Sequence, residues 1–149
     1  PWGVLILFGG GLSLARGMKE TGVTSCLAHA VGGSAALPTP VLVLLVTTLI
    51  VFLTELTSNT ATTAAFLPVL AAVGEGLHLP PLILTVPAAV GASLAFMMPV
   101  ATPPNAIVFS TGRVTIPQMC KAGFWLNLIG IAVVMTLVYG WILPLGLAE

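Results

Sequence analysis

The sequence predicts an all-α membrane protein, and three observations carry that expectation. Only 5% of the 149 residues are Asp, Glu, Lys or Arg, against about 25% in ordinary soluble domains. Apolar side chains make up 58% of the chain, and the mean hydropathy is +1.15. A soluble fold of this size buries only about two-thirds of its chain surface, and so few charges cannot coat the rest. The same apolar content excludes disorder. The third observation is pattern: the alternating segments of a membrane β-barrel are missing, so the neutral tracts read as helices.

Taken in order, residues 2–15 form an apolar segment holding Gly9-Gly10-Gly11, with Arg16 and Lys19 marking its end. It is shorter than the neutral tracts 21–54, 76–112 and 122–148, each of which is long enough for a span of about 20 residues. With Pro1 in place of an initiator Met, the chain reads as a piece of a longer one. No basic stretch precedes a cleavage site, so residues 1–14 are not a signal peptide. Gly32-Gly33-Ser34 and Pro38-Thr39-Pro40 separate a short segment, 23–31, from a helix starting near Pro40, a residue suited to a first turn. Apolar runs follow at 41–53 and 64–73, the second ending at Gly74-Glu75-Gly76. Pro80-Pro81 opens the next run, 82–99, which breaks and resumes at 106–109. Residues 113–121 form a polar connection. Pro117 opens the last helix, which meets Pro144 and carries Trp125, Tyr139 and Trp141 toward its ends, as interfacial aromatics do. No internal repeat is visible within the chain.

Two polar interruptions stand inside this apolar sequence. In the first, residues 54–63, eight of ten side chains carry a hydroxyl, amide or carboxylate. Unpaired polar groups in hydrocarbon cost several kcal/mol each, so the cluster must face water, protein or a ligand. It reads either as a loop at the water surface or as the tip of a re-entrant hairpin; its Thr-rich composition, with Ser58-Asn59 at the centre, favours the hairpin. The second interruption is 99–105, where Pro103 and Pro104 lack N–H donors and free carbonyls in the preceding turn. It reads either as a proline kink satisfied by neighbouring hydroxyls or as the discontinuity of a transporter helix, whose freed carbonyls are cation ligands. Two breaks in one small unit favour the functional reading.

The chemistry on offer is narrow. Hydroxyl, amide and carbonyl oxygens are hard ligands suited to Na⁺. Backbone N–H groups and neutral hydroxyls can hold a carboxylate. Neither break contains Lys or Arg, so an anion bound there relies on helix dipoles, N–H donors and a co-bound cation. Glu55, an acid within an apolar tract, is a functional candidate by position. It could neutralise Na⁺, relay a proton, or pair with a basic residue in a missing half of the protein, and structural pairing is the reading adopted. Zero net charge and the lack of a basic stretch exclude nucleic acid as a partner. Cys26 and Cys120 have no metal-site spacing and read as small apolar side chains. His29 and His78 read as interfacial, Glu75 as a solvated charge at the hairpin base, and Phe96-Met97-Met98 as packing. Gly91 and Ser93 could allow close helix approach. Two basic residues lie on each side of the expected span, so charge sets no orientation. No nucleophile–base pair suggests an enzyme.

At Ser58-Asn59-Thr60 and Ala101-Thr102-Pro103-Pro104-Asn105-Ala106 the chain resembles the divalent anion:sodium symporter family, which carries dicarboxylates, citrate or sulfate. Pro1-Trp2, Gly9-Gly10-Gly11 and Ala64-Ala65-Phe66-Leu67-Pro68 also look like that family. The resemblance covers essentially the whole chain. Its specific part is the long pattern over 54–109, since an isolated Ser-Asn-Thr carries no information.

The resemblance implies one half of an inverted repeat, the carboxyl-terminal one, with a re-entrant helical hairpin and a discontinuous transmembrane helix. Residues 1–36 would hold the last scaffold helix and an arm helix at the membrane surface. Residues 37–149 would be half of a transport domain, with the hairpin at 40–76, the broken helix at 82–112 and the final transmembrane helix at 117–145. Thr54, Asn59 and the carbonyls of Thr57 and Ala101 would ligate Na⁺. Ser58, Asn59, Thr60 and Thr102 would contact substrate carboxylates, with Pro103 at the pocket wall. Position 57 is Thr where some members carry a smaller residue, which is of little consequence if it contributes a backbone oxygen. The implied protein is multi-pass in a plasma or bacterial inner membrane. It would work as a homodimer by elevator motion, completed by an amino-terminal repeat outside this chain. Na⁺ would be co-transported with a succinate-, malate- or citrate-class anion, with no organic cofactor. A sulfate carrier or a sodium-independent exchanger on the same fold is the alternative. A membrane assembly subunit or an intramembrane enzyme is the alternative from another class.

Overall fold

The computed structural model describes residues 2–24, 26 and 37–144, which form helices and turns with no strand among them. Helix α1 spans Trp2–Glu20, α2 Thr39–Thr54, α3 Asn59–Gly76, α4 Leu82–Gly91, α5 Pro103–Ser110 and α6 Ile116–Leu137. A π-helical turn, Val138–Ile142, continues α6. Most of the arm expected at 23–31, including His29, lies outside the described residues, as do Pro1 and 145–149.

Periodicity explains the packing of α2. Its buried residues Val43, Thr47, Ile50, Val51 and Thr54 recur at helical spacing and form one face. With Leu70 of α3 and Ile83, Leu84, Ala88 and Ala92 in and just after α4, Val43 and Ile50 make the apolar core. Gly91 brings α4 close to α2, since a Cβ there would stand 3.3 Å from Val51 Cγ2. Helix α1 lies along α3. Pro68 lacks the N–H that would bond the Ala64 carbonyl, and Gly11 packs where its Cβ would lie 3.0 Å from that oxygen. Lys19 and Glu75 join the ends of α1 and α3 by an ion pair at 2.8 Å. Glu75 is therefore paired as well as solvated.

Helix α6 and its π turn run for 27 residues, Ile116–Ile142, the one described helix long and apolar enough to cross a membrane. At 1.5 Å per residue that is about 40 Å, more than the roughly 30 Å hydrocarbon core. It starts at a capped end, where the Gln118 side chain accepts from the Thr115 N–H at 2.9 Å. Trp125, Ile129, Val133 and Trp141 stay mostly exposed along it, a surface suited to lipid or protein rather than water. Helices α2 and α4 are apolar but shorter.

Both breaks differ in extent from the expectation. The first is only residues 55–58, because Thr60, Thr62 and Thr63 are already helical. Thr63 turns its hydroxyl back onto the Asn59 carbonyl at 2.8 Å, and so needs no water. The second is wider than 99–105: α4 ends at Gly91 and α5 starts at Pro103. The unwinding begins well before the first proline because tertiary partners take over the backbone groups, as the site makes plain.

Candidate functional site

The two breaks meet. Residues 55–60 and 100–103 line a single cavity of about 610 Å³. Every residue expected to contact Na⁺ or substrate borders it except Thr54, which is fully buried behind the turn. The chain restarts as helix on both sides of the cavity, and each restart carries a hydroxyl cap. Ser58 Oγ accepts from the Ala61 N–H at 3.4 Å, and Thr102 Oγ1 from the Asn105 N–H at 3.4 Å. These long contacts leave both caps free to take other partners. Two helix N-termini therefore border one space, each with partial positive charge; Asn59 and Thr60 add free N–H groups at the first, whereas Pro103 and Pro104 supply none at the second. Among the described residues no basic side chain lines it. The arrangement is suited to a small anion held by dipoles and hydroxyls.

The oxygen atoms divide into occupied and free. Thr57 Oγ1 donates to the Leu53 carbonyl at 2.9 Å and lies 2.6 Å from Thr62 Oγ1, so its side chain is committed. The carbonyls of Thr57 and Ala101 accept no hydrogen bond from the described residues. Thr54 Oγ1 lies 2.7 Å from Asn59 Oδ1 and 2.9 Å from the Ala92 carbonyl. One hydroxyl proton cannot serve two acceptors. Turning the Asn59 amide so that Nδ2 donates to Thr54 satisfies both and frees Oδ1. Free carbonyls and an amide oxygen are what a hard cation such as Na⁺ requires.

Side chains from elsewhere in the chain take up several backbone groups of the unwound segment 92–102 and leave the Ala101 carbonyl open. Thr54 takes the Ala92 carbonyl. Asn105 Nδ2 donates to the carbonyls of Ala95 and Met98 at 2.9 and 3.0 Å. Glu55 takes the amides of Phe96, Met97 and Met98. Glu55 is thus structurally paired, and its partners are backbone amides and Asn127; the run Phe96-Met97-Met98, read from sequence as packing, also supplies those amides. Sequence reasoning missed Asn127 and Gly123 altogether. The available signal was an Asn in the middle of an apolar spanning helix, where a polar side chain demands a partner.

Residues 1–148 match the family described as the sodium:sulfate symporter transmembrane region. The chain is 49% identical over 144 residues to the sodium-dependent dicarboxylate transporter SdcS of Staphylococcus saprophyticus, covering 97% of this chain and 28% of that protein. It is 44% identical over 145 residues to solute carrier family 13 member 2 of Mus musculus, covering 97% of this chain and 25% of that protein. The human protein of the same name is 41% identical over 145 residues, with 24% of its length covered. The chain thus spans about a quarter of the length of these relatives.

Proposed function

The chain belongs to the sodium:sulfate symporter transmembrane family, that of the divalent anion:sodium symporters, and on that premise we propose that it is a piece, from the carboxyl-terminal repeat, of a secondary transporter moving a small di- or tricarboxylate with Na⁺. One observation carries the reading: two helix N-termini and two unpaired carbonyls share a cavity that has no basic residue among the described ones. An anion in such a cavity needs a cation beside it. Na⁺ on the Thr57 and Ala101 carbonyls, Asn59 and Thr54 would supply that charge and fix both breaks. The anion's carboxylates would then meet Ser58, Asn59, Thr60 and Thr102, with Pro103 at the wall. Because coupling is reciprocal, the anion tightens Na⁺ binding as much as Na⁺ tightens the anion's. The relatives' names, which specify sodium-dependent dicarboxylate transport for SdcS, support the substrate class. On this reading the protein acts in transport and not as an enzyme.

The membrane arrangement belongs to the same proposal. Residues 40–76 form a re-entrant hairpin whose tip is the turn at 55–58. Residues 82–112 form the discontinuous helix, 117–145 the final crossing, and 1–36 the scaffold helix and arm. An amino-terminal repeat supplies the second half-site, the complete protein pairs as a homodimer in the bilayer, and this half moves as an elevator. The test is radiolabelled succinate uptake by the full-length protein in proteoliposomes, with citrate and sulfate as competitors. Uptake should rise with an inward Na⁺ gradient, and citrate should compete. Equal uptake without Na⁺ overturns the symport reading. Stronger competition by sulfate than by succinate turns it to the second reading, a sulfate carrier, which the family's description favours.

A further inference from the structure

Glu55 is outside the ligand set just described, yet it is the most heavily engaged side chain near the cavity. It is only 4% exposed, and every group that reaches its carboxylate is a donor. The Phe96 N–H donates to Oε1 at 2.8 Å, the Met97 N–H forks to both oxygens at 3.0 Å, and the Met98 N–H donates to Oε2 at 3.1 Å. Asn127 Nδ2, from α6, adds a contact at 2.7 Å. Helical amides point along the helix axis to carbonyls four residues back. Inside a helix three successive amides cannot converge on one anion; at 96–98 the chain has left the helix, and such converging amides make an anion cradle.

Two features of α6 belong to the same construction. Asn127 is fully buried, and its Oδ1 has no partner among the described residues. An amide placed for its own stability would have both ends satisfied; this one keeps only the contact with Glu55. Gly123, one turn earlier, lies against the back of the segment. A Cβ there would stand 2.6 Å from Met97 Cα and closer still to the Phe96 carbonyl. Residues 96–98 are thus held between Glu55 and the small face of α6.

We propose that Glu55 is a positioning residue: its carboxylate splices the unwound segment to the turn carrying Ser58-Asn59-Thr60, and so sets the register in which Ala101 and Thr102 face Thr57 and Asn59. The amides it holds stand three to five residues before Ala101, in the same unwound stretch. The splice itself is independent of what the cavity binds. Its effect on sodium rests on the transport reading above.

The experiment uses the full-length protein in lipid and two readouts, backbone amide hydrogen exchange at 96–98 and the Na⁺ concentration for half-maximal uptake. Glu55→Gln replaces an acceptor oxygen with an N–H₂ that faces amide donors. It should speed exchange at 96–98 at least tenfold while leaving α1 and α3 unchanged. It should also raise the half-saturating Na⁺ by roughly tenfold to a hundredfold, as outer partners of metal ligands do. Glu55→Asp keeps the charge but retracts it by one methylene and should fall between. The pair Glu55→Gln with Asn127→Asp restores the local charge without restoring the acceptor for three amides, and should respond no better than Glu55→Gln. Unchanged exchange in Glu55→Gln, or recovery of the wild-type sodium response in the paired variant, overturns the proposal. Should Glu55→Gln fail to accumulate, Glu55→Asp carries both readouts, and wild-type values in it overturn the proposal equally. If the wild-type protein shows no sodium-dependent uptake, the transport reading falls, and exchange at 96–98 alone decides the splice.

Discussion

Thr54 shows how one hydroxyl can join two breaks. It is fully buried and touches both the Asn59 amide in its own hairpin and the Ala92 carbonyl where the second break opens. Thr54→Val keeps the shape, strands the Ala92 carbonyl in a buried site and takes a partner from the Asn59 amide. The expected loss is about 1–3 kcal/mol, read as a lower unfolding temperature of the full-length protein. Thr136→Val removes only an exposed bond to the Ala132 carbonyl and should shift stability by less than about 0.5 kcal/mol. Equal shifts in the two variants would contradict the bridging role. Asn59→Ala removes an amide that borders the cavity and, on the proposed reading, serves cation and anion together. Sodium-stimulated uptake should disappear while the protein still accumulates in the membrane, and retained stimulation would count against the reading.

At the scale of the element, the second break is maintained by its surroundings as much as by its prolines. Helix α6 reaches the unwound segment because it presents Gly123, Asn127 and Gly130 on one face. A Cβ on Gly123 would overlap the backbone of Phe96 and Met97, whereas one on Gly130 would meet first the Leu94 side chain at 2.8 Å. A side-chain tip can turn aside, but a backbone held by Glu55 cannot. Gly123→Ala should therefore cost about 1–3 kcal/mol by overpacking, with a smaller loss for Gly130→Ala. Gly140→Ala meets nothing within 4 Å and should leave the unfolding temperature unchanged or raised. Thermal unfolding of the three variants checks the order, and a harmless Gly123→Ala would mean that α6 does not hold the segment.

For the molecule as a whole, the lengths of the elements bear on the membrane arrangement. Helix α2 has 16 residues, about 24 Å of rise, which falls short of a roughly 30 Å hydrocarbon core. The turn at 55–58 is then expected inside the bilayer's thickness, facing the cavity. A spin label at position 56 should report an interior depth, and labels at 78 and 115 a surface depth. A label at 56 reading headgroup depth would replace the re-entrant hairpin with two full crossings. The large apolar side chains left exposed, among them Trp2, Val100 and Trp141, also belong to this scale. They are surfaces that lipid, or the rest of a longer protein, would cover.

The helical class, the membrane setting and the two interrupted tracts were legible in the chain itself, because charge content, apolar run length, proline and hydroxyl clusters are local properties. The tracts that hold the candidate site were legible for the same reason, as interruptions of apolar helix; the individual residues, Ser58-Asn59-Thr60 and Ala101-Thr102-Pro103, were singled out by the resemblance to a family. The tertiary structure alone decided that these points share one cavity, that unwinding begins at Ala92, and that Glu55 faces amides instead of a cation. Each of those outcomes depends on partners far along the chain, with Thr54 meeting Ala92 across 38 positions and Glu55 meeting Asn127 across 72. A local pattern can state that a polar group needs a partner; only the folded chain can bring the partner to it.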